Sequence, residues 1–162
     1  METLTNRTFD EIEVGESASL VRTFSQRDIE LFAAVTGDFN PAHVDPEFAK
    51  TDIFQGIVVH GMLGASLIST VLGTKLPGPG TIYLDQTLRF CHPVRVGDTL
   101  TVTLTVKQKV PPHNRVDLDC KAVNQEGKEV ITGLATVLAP AKKISRPRVA
   151  IPRIEIQENP VQ

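Results

Sequence analysis

The spacing of apolar residues changes three times along the chain, and each change predicts a different element. In "SASLVRTFS" apolar and polar residues alternate, as on a strand with one face against a core. The period then lengthens, with Ile29, Phe32, Ala33 and Thr36 on one side of a helix. Ser25 followed three residues later by Asp28 resembles an N-terminal cap, and Gly37 stands where a left-handed C-terminal cap is commonest. Pro41 disfavours helical geometry at Asn40, so Asp38 to Val44 is expected to be loop. Asp45 and Pro46 then cap and open a short helix through Phe48.

From Met62 to Leu72 every residue is apolar or small, until Gly73 and "LPGPG" end the run. A helix of that composition has no side suited to water and must be wrapped by other structure. After Thr81 the period is two: "TIYLDQTLRF", "DTLTVTLTVKQKV", "RVDLDCKAV" and "KEVITGLATVLAP" are separated by "VGD", "PPHN" and "NQEGK" turns. The expected class is α+β, an antiparallel sheet wrapped around a central apolar helix, in one domain over residues 1–140. Residues 141–162 are proline-interrupted and locally basic, and are expected to be a tail: a linker, an arm or a surface strap.

Composition narrows the function. A length of 162 residues with 41% hydrophobic content suits one domain with its own core. A net charge of -2 gives no general reason to bind nucleic acid or an anionic membrane. The N-terminus is acidic where a signal peptide would be basic and then apolar, and no apolar run is long enough to span a bilayer. Cys91 and Cys120 form neither a disulfide framework nor a zinc pattern, so a reducing cytoplasm is the expected location.

The chemistry gathers in "TGDFNPAHVDPEFAK". Asp38, Asp45, His43 and His60 would supply enough ligands for a metal, but no HExxH-like pattern places them, so no metal is expected. "GASLI" around Ser66 misses the G-x-S-x-G elbow of a serine hydrolase. Cys91 and His92 are adjacent, and on a strand would face opposite ways, so Cys91 is expected to be packing.

Three stretches, "FAAVTGDFNPAHVDPEFA", "GIVVHGMLGASLISTVLG" and "GTIYLDQTLRFCHPVRVGDTLTV", resemble the MaoC-like (R)-specific enoyl-CoA hydratases of the hot-dog fold. The likeness runs from about Phe9 to Ala139 and includes the whole motif G-D-x-N-P-x-H, as Gly37, Asp38, Asn40, Pro41 and His43. It implies that Asp38 and His43 hold and activate a water that adds to trans-2-enoyl-CoA, giving (R)-3-hydroxyacyl-CoA. By the same resemblance the Gly61 N–H binds the thioester oxygen, Ser69 lies in the active-site wall, Leu72 lines the acyl pocket and Asn40 supports the site. His60 is read as structural. No cofactor is implied beyond the coenzyme A of the substrate. The resemblance also implies a homodimer, and some relatives carry a phosphate acyltransferase domain after the hydratase. The chemistry independently wants such a pair, because hydration needs one group to accept a proton while another orients or donates. The rival readings are a hot-dog acyl-CoA thioesterase and a non-catalytic acyl-thioester-binding module.

Overall fold

The computed structural model describes residues 2–157. In chain order it holds β1 (Thr3–Thr5), β2 (Ser17–Thr23), α1 (Gln26–Thr36), α2 (Pro41–Val44), α3 (Pro46–Thr51), α4 (Gly61–Thr74), β3 (Ile82–Phe90), β4 (Thr99–Val110), β5 (Arg115–Val123), β6 (Glu129–Leu138) and β7 (Ser145–Pro147). The period-two segments pair into one antiparallel sheet of order β2-β4-β5-β6-β3. Strands β4, β5 and β6 follow one another through tight turns, at Asn114 and Gly127, both with positive φ. β3 and β4 are consecutive in sequence but not neighbours in the sheet, because β3 lies at the far edge against β6. The "VGD" turn instead ties β4 to the end of β2: Gly97 N donates to Phe24 O, and Phe24 N to Asp98 O.

Alternation decides what is buried. Leu100, Val102, Leu104 and Val106 on β4, with Val116, Leu118, Cys120 and Ala122 on β5, form one apolar face. Ala65, Leu67, Ile68, Val71 and Leu72 of α4 pack on it in the same core. Each fully buried Leu, Ile or Val contributes about 1.5–3 kcal/mol relative to exposure, so this layer dominates stability. Burial pushes the Cys120 thiol up to about 11, which makes it an inert packing group. On the other face, Asp117 is buried by Arg115, Gln108 and Thr136, which hydrogen-bond its carboxylate.

The structure corrects two expectations and describes most of the tail. First, α4 is not wrapped on every side: Met62, Ser66, Ser69 and Thr70 are exposed along one face, opposite Ile68, Val71 and Leu72. Second, Asp38 to Val44 is not all loop. Pro41 disfavours helix only at the residue before it and itself opens α2 as a first-turn proline, with Asn40 as N-cap. Of the three readings of the tail, the described part corresponds to a surface strap. β7 pairs with β1 in a separate two-stranded sheet, and Arg148 N donates to Glu2 O. The buried side chain of Asn6 ties this strap down, donating to Pro79 O and Lys142 O and accepting from Ile144 N. Beyond it Val149 and Ile151 are exposed. No helix among the described residues is long and apolar enough to cross a membrane.

Candidate active site

The loop that carries the acidic and imidazole groups is built from a chain of short-range hydrogen bonds. Gly37 closes α1 in the left-handed conformation, φ 76°, with its N–H on Ala33 O at 2.8 Å. The Thr36 hydroxyl then accepts from Asp38 N at 3.2 Å, and the Asp38 carboxylate from Asn40 N at 3.3 Å. Asn40 accepts from Ala42 N at 3.1 Å, which starts α2 and sets His43 in its single turn. Asp45 repeats the device for α3, accepting from Glu47 N and Phe48 N. The segment returns to its start at Val58, whose N–H donates to Ala42 O and whose carbonyl meets His43 Nδ1 at 2.7 Å.

These turns bring Asp38, His43 and His60 together, with one ligand-type atom of each within 4.8 Å of the others. Asp38 is exposed, His43 half-buried and His60 buried. The two imidazoles stack at 3.9 Å between centroids, and His60 Nε2 lies 3.0 Å from the Asp38 carbonyl oxygen. A carbonyl oxygen only accepts, so each histidine donates through the nitrogen that faces one. His43 therefore carries a proton on Nδ1, so that in the neutral ring Nε2 is the acceptor. Beside it opens a cavity of about 340 Å³, lined by His43, Phe54, Gly61, Phe90, Cys91 and Ile131 among others. Gly61 begins α4, where the N–H groups have no intrahelical partner, and no group among the described residues accepts from its N–H. A Cβ there would lie 3.0 Å from the Phe90 ring, so glycine lets the start of α4 pack this close to Phe90.

Residues 10–135 match the MaoC like domain. The chain belongs to the MaoC-like family. It is 50% identical over 134 residues to the (R)-specific enoyl-CoA hydratase of Rhodospirillum rubrum, covering 83% of this chain and 92% of that one. It is 43% identical over 129 residues to the (R)-specific enoyl-CoA hydratase of Aeromonas caviae, covering 80% and 96%. Among solved structures, the R-hydratase PhaJ1 from Pseudomonas aeruginosa in its unliganded form superposes with a TM-score of 0.92 at 46% identity, over 96% of this chain and 100% of that one. The hot-dog fold expected from the motif is therefore the fold of this MaoC-like chain.

Not every expected site residue of this MaoC-like chain gathers at the cavity. Asp38 stands beside His43, which lines the cavity together with Gly61, and Asn40 holds the turn between the two. Ser69 is eight residues beyond Gly61, roughly 12 Å along α4, on the exposed face. Leu72 is 1% exposed in the central core. Neither lines the cavity. Cys91 and His92, on the other hand, both line it, because β3 ends at Phe90 and strand alternation no longer separates them. Phe54 and Phe90 also line it, and no local motif marks either of them. His60, read from the sequence as structural, stands against both Asp38 and His43.

Proposed function

We propose that the chain is an (R)-specific enoyl-CoA hydratase, a hydro-lyase that adds water to trans-2-enoyl-CoA. The observation that carries this reading is an Asp38 carboxylate oxygen within 4.8 Å of a His43 ring nitrogen, beside a cavity lined by His43 and by Gly61, the first residue of α4. A water that donates one hydrogen to Asp38 and the other to His43 Nε2 turns its lone pair outward, toward C3 of the enoyl group. As the O–C3 bond forms, Asp38 takes the water's proton and the π electrons of the C2=C3 bond move onto the thioester oxygen. The Gly61 N–H meets that developing charge, aided by the positive end of α4. The proton then passes from Asp38 to C2, which restores the thioester carbonyl. Both new bonds form on the face presented to the dyad, which makes the product a single enantiomer.

Coenzyme A enters this scheme only as part of the substrate, and neither metal nor redox cofactor has a step to perform. The reaction is written for one chain, but we infer that a second copy completes the protein. The edge strand β3 exposes Ile82, Leu84 and Phe90, α4 exposes Met62, and Asp38 itself is exposed where hydration chemistry benefits from shelter. A homodimer that covers this face elutes in size-exclusion chromatography at twice the chain mass. Two unpaired cysteines suit a reducing compartment, for which the cytoplasm is our proposal.

Crotonyl-CoA tests the reading. The conjugated enoyl absorbance disappears, chiral analysis of the product gives (R)-3-hydroxybutyryl-CoA, and no free thiol is released. Thiol release without hydration would make the chain a thioesterase, and binding without either would make it an acyl-thioester-binding module.

A further inference from the structure

His60 has no part in the scheme above, yet it touches every group that does. Its ring is 2% exposed. Nε2–H donates to the Asp38 carbonyl at 3.0 Å, one face stacks on His43 at 3.9 Å, and Phe32 lies against the ring at 4.9 Å. Its own carbonyl accepts from Leu63 N and Gly64 N, which seats the residue as the N-cap of α4, immediately before Gly61.

We propose that His60 is the positioning residue of the site, holding the Asp38 backbone, the His43 ring and the Gly61 N–H in one fixed relation. The kinetic consequence rests on the hydratase reading; the geometry does not. Asp38's own remaining hydrogen bonds are longer, Asp38 N to Thr36 at 3.2 Å and Asn40 N to the Asp38 carboxylate at 3.3 Å. The bond from His60 fixes the peptide plane that follows Asp38, and with it the direction in which the carboxylate leaves the chain. His43 is held at its edge by Val58 O and on its face by His60, one hydrogen bond and one stacking contact. Both originate on the segment that leads into α4. The dyad therefore moves with the helix start, and so with Gly61.

A second observation separates this role from simple packing. His60 Nδ1 is buried without a hydrogen-bond partner among the described residues. A buried acceptor without a donor is destabilising, so a residue present only to fill space would be better served by Phe or Leu. The nitrogen that does bond, Nε2, holds the catalytic loop.

The test has two readouts. Long-range ¹H–¹⁵N spectra of the histidine rings, taken on the wild type without substrate, place the His60 proton on Nε2. His60→Phe keeps a ring on His43 but loses the donor, and His60→Gln keeps a donor. In His60→Phe the ¹³C shift of the Asp38 carbonyl moves, and kcat for crotonyl-CoA hydration falls by about ten-fold or more while KM stays within about two-fold. His60→Gln recovers most of both. A wild-type spectrum with the proton on Nδ1 overturns the proposal, whatever the variants do. Folded His60→Phe with unchanged kcat and unchanged Asp38 carbonyl shift overturns it equally. A wild type that hydrates no enoyl-CoA would instead overturn the hydratase reading, and with it the kinetic half of this proposal, while the ring spectra still decide the geometry.

Discussion

Strands β4 and β5 bury eight apolar side chains on one face, and each is covered by several others, whereas the stretch from Gly37 to Gly61 places fewer apolar side chains in the interior and is threaded by single hydrogen bonds. The first region is redundant: every residue repeats its neighbour's contribution, so loss of one weakens the whole without changing its shape. The second relies largely on single contacts between Gly37 and Ala42, so loss of one changes geometry more than stability. A site on a loop is precise here because a rigid helix start, a proline and two capping side chains each remove one freedom from it.

The largest effect separates these regions through stability. Leu104→Ala leaves a cavity in the fully buried centre of β4 and should cost about 2–5 kcal/mol in urea unfolding, with kcat per folded molecule unchanged. A lowered kcat in the folded fraction would show that the sheet sets the site's geometry directly. Truncation after Ala141 comes next. It removes the Lys142 and Ile144 partners of buried Asn6, and about 1–3 kcal/mol of stability should go with them while hydration persists. An unchanged melting curve would make the strap dispensable.

Asn40→Ala reverses the pattern. Loss of the α2 cap should cost about 1 kcal/mol, but His43 rides on that turn, so crotonyl-CoA hydration should fall about ten-fold. Equal and small effects on both would mean that α2 holds its place without the cap. The smallest effect lies in acid. The Arg115 guanidinium beside Asp117, with Gln108 and Thr136, holds its carboxyl down at about 2. A depressed carboxyl stabilises the fold fully above its unfolded value, near 4, and loses that contribution as pH falls toward 2. Asp117→Asn should therefore flatten the loss of stability between about pH 4 and 2, as read by urea midpoints across that range. A slope identical to the wild type's would remove the ion pair from the acid response.

The same contrast explains what could be read from the sequence. Strand and helix periods repeat, so β2, α1, α4 and the four long strands were legible, as were the caps at Ser25, Gly37 and Asp45. The G-D-x-N-P-x-H motif marked Asp38 and His43 because its spacing is local. Long-range consequences were not legible. The pairing of β3 with β6, the bond from His60 back to the Asp38 loop, and the grip of Asn6 on the strap join residues far apart in the chain. Along α4, uniformly apolar or small composition did not tell the exposed side, with Ser69, from the buried side, with Leu72.

The central claim is that Asp38 and His43 act on one water as a unit, and a kinetic cycle tests it most directly. Steady-state crotonyl-CoA hydration is measured for the wild type, Asp38→Asn, His43→Ala and the double variant, with circular dichroism confirming that each is folded. Each single change should lower kcat by roughly a hundred-fold or more, and the double variant should be little worse than either, because groups serving one step are not additive. Near-normal turnover in folded Asp38→Asn, or two losses that simply multiply, would contradict the account.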